Sequence, residues 1–197
     1  MVFVDGQNLT HGVHHGFGYT YPNFDAMKLA AAICRAKGWE LVQVHFYTGI
    51  PSKADDPKWH RFWSAKLLAM SRHRDVRVYT RPLRYRNKTI QLPDGETLTV
   101  RVGEEKGIDV RLALDVVARA VTGDFDVAVI VSQDQDFTEV ASEVRTIARS
   151  QKRWIKIASA FPAGPGTRDR RGIDRTDWIV IDREMYDRCI DGRDYRA

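Results

Sequence analysis

Cysteine is scarce in this chain, and long hydrophobic runs are missing. Its 197 residues include two cysteines, Cys34 and Cys189, which form no short-spaced motif. Nothing indicates an oxidising compartment, so buried free thiols are expected rather than a disulfide. No segment approaches the roughly 20 apolar residues that a membrane helix needs, and no basic and then apolar leader precedes Val2. We therefore expect a soluble, cytoplasmic protein.

Three common phosphate-handling motifs are also missing. No Gly-rich loop ends in Lys-Ser or Lys-Thr, which excludes Walker-type nucleotide binding. Haloacid-dehalogenase-like phosphatases need Asp-x-Asp after the first strand, whereas residues 5–7 read Asp-Gly-Gln. Receiver domains need an acidic pair at that place and a phospho-acceptor after the third strand, where residues 79–81 read Tyr-Thr-Arg. The sequence thus argues against each of these classes.

Positive charge is in excess and is clustered. The formal net charge is +5, from 31 Lys and Arg against 26 Asp and Glu. Residues 72–88 hold seven basic side chains and one acid, Asp75, and a second basic cluster lies within 145–175. Such clusters suit a polyanion such as nucleic acid, although they are also compatible with ordinary solvated faces.

Strand and helix patterns alternate along the chain, which predicts an α/β fold with a mainly parallel sheet between two layers of helices. Residues 11–22 are predicted to form a Gly- and His-rich loop. Period-two alternation predicts a β-hairpin insertion at about 84–102, and a strand and helix form an extension at about 162–197. We expect one domain over 1–197. The predicted strands are 2–5, 40–48, 76–81, 126–131, 154–160 and 178–181, and the predicted helices are 24–37, 57–72, 107–121, 136–150 and 184–190.

Aspartates stand where predicted strands end or helices begin. Asp5 closes the first strand, Asp109 opens a helix, and Asp134 and Asp136 follow the strand at 126–131. Bringing several carboxylates together is unfavourable, because their negative charges repel one another. The commonest reason for such a cluster is a hard cation such as Mg²⁺, which prefers oxygen ligands. Because ligands of parallel sheets bind beyond the carboxyl ends of the strands, the pattern predicts a metal site there.

Each acid also has a purely structural interpretation. Asp5 can simply end a strand, and Asp109 can favour the positive end of its helix. Asp136 can be the N-cap of the following helix. The loop histidines His11, His14 and His15 have no role assigned by the sequence, since a zinc site needs more ligands at better-defined spacing.

Three motifs resemble those of the NYN domain family, which are PIN-like nucleases. They are Val-Phe-Val-Asp-Gly-Gln-Asn-Leu at 2–9, Lys-Gly-Ile-Asp at 106–109 and Ser-Gln-Asp-Gln-Asp-Phe at 132–137. The resemblance covers roughly residues 2–160. It implies a Rossmann-like sheet of order 3-2-1-4-5 and cleavage of RNA that depends on Mg²⁺ or Mn²⁺.

The resemblance also implies roles for individual residues. Asp5, Asp109, Asp134 and Asp136 match the acids that bind metal, and Asn8 matches a polar companion of Asp5. In a two-metal mechanism, ions roughly 3.5–4 Å apart activate a water and stabilise the leaving oxygen. Further expected contributors are Asn8 and Ser132, which orient a carboxylate or phosphate, and Lys106, which offsets phosphate charge.

Two departures from the family pattern are Gln133 and Gln135, which stand where Gly and Ser are frequent and are expected to narrow the crevice or change the substrate. The sequence therefore predicts a metal-dependent endoribonuclease acting on single-stranded or structured RNA. The sequence is also compatible with DNA as a substrate. It is likewise compatible with a homo-oligomer. The alternative is a nucleic-acid-binding module of the same fold that no longer cuts.

Overall fold

A six-stranded parallel sheet forms the centre of the computed structural model, which describes residues 1–93, 95–167 and 169–196. Its strands lie in the order β3-β2-β1-β6-β7-β8, and every pair of neighbours is parallel. The predicted order is confirmed for its five strands, and the sixth strand adds to the sheet beside β7. The strands are β1 (Val2–Asp5), β2 (Val44–Ile50), β3 (Val76–Pro82), β6 (Val127–Val131), β7 (Lys156–Pro162) and β8 (Asp177–Ile181).

Helices cover both faces of this sheet. Side chains of a strand alternate between the faces, so Val2 and Val4 of β1 join one core while Phe3 joins the other. The first core packs α1, α2, α3 and α6, and the second packs α4 and α5. These helices are α1 (Gly6–Phe17), α2 (Ala26–Ala36), α3 (Pro57–Ser71), α4 (Ile108–Thr122), α5 (Thr138–Ser150) and α6 (Arg183–Asp187).

The predicted loop at 11–22 is wrong for most of its length, because α1 continues to Phe17. Leu9, Val13 and Phe17 recur every four residues and are buried in the first core. The helix ends at Gly18, which has a left-handed φ of 78° and whose backbone N–H donates to the carbonyl of His14. Burial of this apolar stripe therefore outweighs the low helix propensity of the intervening glycines.

Several predicted boundaries also move. The second helix begins at Ala26 rather than residue 24, because the carboxylate of Asp25 caps it by accepting from Met27 and Lys28 N–H. The strand predicted from residue 40 begins at Val44. The helix predicted from Asp136 begins at Thr138, after a short 3-10 turn over Gln135–Phe137.

The predicted hairpin is present as β4 (Arg84–Gln91) and β5 (Thr97–Glu104), which pair antiparallel from Arg84↔Glu104 to Gln91↔Thr97. Asp94, which lies between these two strands in the sequence, is outside the described residues. The ribbon makes a sheet of its own and connects β3 to α4. Among the residues with described coordinates, no helix is long and apolar enough to cross a membrane.

Candidate active site

The carboxyl ends of β1 and β6 bring two of the sequence-predicted segments side by side. Val4 of β1 pairs with Val131 of β6, so Asp5 emerges beside Ser132. The sheet order reverses here, because β1 leads away to β2 on one side and β6 leads to β7 on the other. Such a switch point opens a crevice that parallel sheets use to bind ligands.

A cavity of about 460 Å³ lies at this point, and carboxylates from three parts of the chain line it. They belong to Asp5 at the end of β1, Asp134 beyond β6, and Asp109 in the first turn of α4. Glu105, which the sequence did not single out, adds a fourth. The remaining lining residues are Gln7, Asn8, His11, Lys106, Gly107 and Ile108.

A hydrogen-bonded network fixes Asp5 and Asp134 relative to each other. Asp5 accepts from the backbone N–H of Asn8 at 3.0 Å and from the hydroxyl of Ser132 at 3.1 Å. The same hydroxyl oxygen accepts from the N–H of Asp134 at 3.1 Å, and it is almost fully buried. Asn8 Oδ1 accepts from the N–H of Gln133 at 3.0 Å. Thus Ser132 and Asn8 tie the β1 end to the β6 end.

Burial raises the pKa of the Asp5 carboxyl, and the negative charge of Asp134 raises it further. Hydrogen bonds from Asn8 and Ser132 oppose this rise without cancelling it. A partly buried carboxylate with this balance has too little positive charge around it to favour ionisation. A cation bound in the cavity would supply that charge.

Glu105 shares this electrostatic situation. Burial raises the pKa of its carboxyl to about 7, and the charges of Asp5 and Asp109 add to the rise. Its Oε1 accepts from the N–H of Gly49, at the end of β2, and from the hydroxyl of Thr48 at 3.4 Å. No strand-end pattern marks Glu105 in the sequence, since it follows the hairpin and is 56 positions from Gly49.

Asp136 is placed differently from the other three aspartates. Its side chain is exposed and does not line the cavity, while its backbone N–H donates to Asp134 Oδ1 at 3.0 Å. The suggested N-cap role is wrong, because Asp134 caps the 3-10 turn and Phe137 occupies the N-cap of α5. Asp136 therefore lies beside the carboxylate group rather than within it.

Lys106 and Gly107 form the part of the rim that enters α4. Lys106 is exposed and lines the cavity. Gly107 has a left-handed φ of 75°, and a Cβ there would stand 2.6 Å from an Arg81 guanidinium nitrogen. The left-handed φ favours glycine, while the end of the flexible Arg81 side chain could move aside. The Lys-Gly-x-Asp motif therefore contains a residue required by backbone geometry as well as side chains that face the cavity.

His11 and His15 of α1, together with Gln133, line a neighbouring space. A second cavity of about 580 Å³ shares Asn8 and His11 with the first, and His15 and Gln133 also line it. His14 instead contacts the carbonyl of Tyr19 at 3.0 Å.

Gln133 and Gln135 fasten the segment that follows β7. Gln133 Nε2 donates to the Arg171 carbonyl at 2.9 Å, and Gln135 Nε2 donates to the Gly172 carbonyl at 3.0 Å. Gln133 and Gln135 do not line the first cavity, so the structure gives them an anchoring role at its side.

The donor set fits a hard divalent cation, although no group of three or more His, Cys, Asp or Glu is arranged to hold a metal within residues 1–93, 95–167 and 169–196. Mg²⁺ keeps several waters and takes one or two carboxylates, so it does not require a dense cage. In that same part of the chain, Asp5, Glu105, Asp109 and Asp134 form no ion pair with Lys, Arg or His.

The sequence over residues 1–162 matches the model of the NYN domain. The chain belongs to the NYN domain family. Membership implies a PIN-like nuclease fold and a nucleic-acid substrate. The expected resemblance to this family is therefore confirmed.

One similar solved structure supports the fold alone. A protein of unknown function, VPA0982 from Vibrio parahaemolyticus RIMD 2210633, is 20% identical with a TM-score of 0.53, covering 93% of this chain and 92% of that one. Ribokinase from Giardia lamblia is 12% identical with a TM-score of 0.36, over 85% of this chain and 49% of that chain. No protein with a curated description matches.

Proposed function

We propose that this NYN protein is a metal-dependent endoribonuclease that hydrolyses phosphodiester bonds in its aspartate-lined cavity. The observation that carries the proposal is the convergence of Asp5, Glu105, Asp109 and Asp134 on one cavity without an ion pair for any of them in the described chain. Four acids in one space repel one another unless protons or cations intervene.

Asp5 and Asp134 are the proposed direct ligands of Mg²⁺ or Mn²⁺, because Ser132 holds the two carboxyl-bearing segments together. Asp109 contributes from the first turn of α4, directly or through water, and the exposed Asp136 contributes through water. Bound divalent ions lower the pKa of a water and neutralise charge on the attacking and leaving oxygens.

The remaining polar residues orient and balance the substrate. Asn8 is held by its bond to Gln133 N–H and presents its amide at the cavity wall, where it can donate to a phosphate oxygen. Lys106 offsets phosphate charge at the mouth. Ser132 is buried and orients Asp5 rather than substrate.

A cleavage assay on labelled RNA and DNA tests this function, with Mg²⁺, Mn²⁺ or a chelator. We expect wild type to cut RNA only with a divalent cation, and Asp5→Asn and Asp134→Asn to abolish cutting while RNA binding persists. Asp126→Asn is the matched control. Asp126 immediately precedes β6, at the end of the sheet opposite the cavity, and its side chain is 79% exposed.

The alternative function is a nucleic-acid-binding module of the same fold that does not cut. It is favoured if wild type binds RNA with every cation and cleaves none. Equal cleavage by wild type and both cavity variants assigns the activity to a contaminant and likewise removes the nuclease proposal.

A further inference from the structure

The hairpin β4–β5 grows directly from the rim of the candidate active site. Strand β5 ends at Glu104, and the next three residues, 105–107, line the cavity. On the other side, Leu83 precedes β4 and its N–H donates to the Ile50 carbonyl at 2.9 Å. A strand of eight residues spans about 27 Å, so the ribbon reaches well beyond the cavity.

One face of the hairpin is fixed to the body of the protein near its base. The hydroxyl of Tyr85 accepts from the N–H of Ser52 at 3.1 Å, and Arg101 forms an ion pair with Asp55 at 2.7 Å. The Arg101 guanidinium also lies over the Tyr85 ring, 5.7 Å from its centroid. Tyr85 pairs with Gly103 and Asn87 pairs with Arg101, so Tyr85 and Arg101 lie on the same face of the hairpin. The opposite face is therefore turned away from this attachment.

That opposite face carries a row of cations. Arg84, Arg86 and Lys88 alternate along β4 and are all exposed. Arg86 forms an ion pair with Glu104, whereas the side chains of Arg84 and Lys88 form no ion pair or hydrogen bond within the part of the chain that the structure describes. Alternate strand residues are about 6.7 Å apart, comparable with neighbouring phosphates along a nucleic-acid strand.

We propose that this face of the hairpin binds the phosphate backbone of the nucleic acid whose scissile bond lies in the adjoining cavity. The inference rests on the proposed function and deepens it, since it assigns a substrate long enough to contact both places. Phosphates stabilise the cations of this hairpin face. The acids of the cavity, in contrast, repel phosphate when no cation is bound there. Ile90 and Leu98, paired near the tip on the same face and half exposed, offer apolar contact to riboses or bases.

The test uses the full chain with Arg84→Gln and Lys88→Gln combined. The matched control combines Arg35→Gln and Lys37→Gln, which remove one exposed Arg and one exposed Lys charge at the C-terminal end of α2, outside both basic clusters. Binding of a mixed-sequence single-stranded RNA is measured in chelator over a series of salt concentrations, so that cleavage plays no part. Far-ultraviolet circular dichroism verifies folding of both variants.

We expect the slope of log affinity against log salt to become shallower by about 1.4 in the hairpin variant, because each lost single-strand phosphate contact removes about 0.7. The control slope should stay that of wild type. Equal slopes in all three proteins, equal losses in both variants, or no RNA binding by wild type overturn the proposal. So does hairpin-dependent binding to phosphatidylserine vesicles without hairpin-dependent binding to RNA.

The two proposals fail in different ways. If the hairpin variant binds RNA with the same salt slope as wild type, the proposal of metal-dependent cleavage at Asp5 is not affected. Absence of cleavage leaves the chelator-based binding result intact.

Discussion

Glu105 brings a fourth carboxylate into a cavity already lined by three aspartates. Its carboxyl is held by Gly49 N–H, yet burial raises its pKa to about 7 and the charges of Asp5 and Asp109 act in the same direction. In the folded protein without cations, this group is therefore partly protonated at neutral pH. The residue couples the stability of the fold to the electrostatics of the candidate site.

The variant Glu105→Gln should remove a pH dependence of stability. The folded-state pKa of about 7 lies above the usual glutamate value of 4.5, so the folded protein holds the proton more tightly and stability falls as pH rises between these values. The full effect is roughly 3 kcal/mol at about 1.4 kcal/mol per pKa unit. We expect Glu105→Gln to raise the free energy of unfolding in chelator by about 1–3 kcal/mol near pH 8 and to change it little near pH 4.5.

Urea unfolding at the two pH values measures this difference. Glu143→Gln, on the exposed face of α5, is the matched control and should leave the pH profile unchanged. A Glu105→Gln protein whose stability falls with pH as steeply as that of wild type would contradict the interpretation.

The sequence predicts the cavity position of some of these acids but not of others. Asp5 ends one strongly apolar strand and Asp134 follows another. A parallel arrangement of these strands is enough to place both residues at the carboxyl end of the sheet. Glu105 depends on contact with Gly49, which no local pattern encodes. Asp136 shows the converse, because a 3-10 turn too short to predict directs its side chain to solvent.

At the scale of elements, α1 shows how packing overrides composition. Its glycines predict a loop, but a Cβ at Gly12 would stand 3.2 Å from Pro162 Cδ, and one at Gly16 would stand 3.0 Å from the Thr167 hydroxyl. The glycines therefore permit the helix to lie close to the end of β7 and to the segment that follows it. Local helix propensity alone predicts a loop for this glycine-rich segment, whereas its long-range contacts explain why the glycines occur in a helix.

The end of β2 and the base of the hairpin meet through another glycine. A Cβ at Gly49 would lie 2.7 Å from Glu105 Cγ and would also clash with Leu83. We expect Gly49→Ala to lower the free energy of unfolding by about 1–3 kcal/mol, as overpacking does, and to reduce cleavage because Glu105 and Lys106 shift. Thermal unfolding and the RNA assay measure the two effects.

Gly192→Ala is the control for this change, since a Cβ there meets nothing within 4 Å. It should behave as wild type in both measurements. Wild-type stability and cleavage in Gly49→Ala would show that the base of the hairpin adapts freely.

At the scale of the whole molecule, the alternation of strands and helices is enough to predict a parallel sheet, and the family resemblance supplies the order of five strands. The sixth strand and α6 lie beyond residue 162, where the family match ends, yet they complete the first core. Ile179, Ile181 and Tyr186 are buried there, and the Tyr186 hydroxyl donates to Asn23 Oδ1 at 2.6 Å. The extension thus belongs to the packed fold.

A chain ending at Pro162 should lose cooperative unfolding. Each large buried side chain contributes about 1.5–3 kcal/mol, so loss of Ile179, Ile181 and Tyr186 removes an amount comparable with the roughly 5–15 kcal/mol stability of a typical protein. Differential scanning calorimetry checks this expectation. A truncated chain that melts cooperatively at the temperature of the full chain would show that residues 1–162 fold alone.

If acids distant in sequence form one cation site, calorimetric titration with Mn²⁺ should detect it. We expect wild type and Asp126→Asn to bind Mn²⁺ with the same affinity, and Asp5→Asn and Asp134→Asn to bind it roughly tenfold or more weakly. Identical Mn²⁺ binding by all four proteins, or none by wild type, would contradict the account.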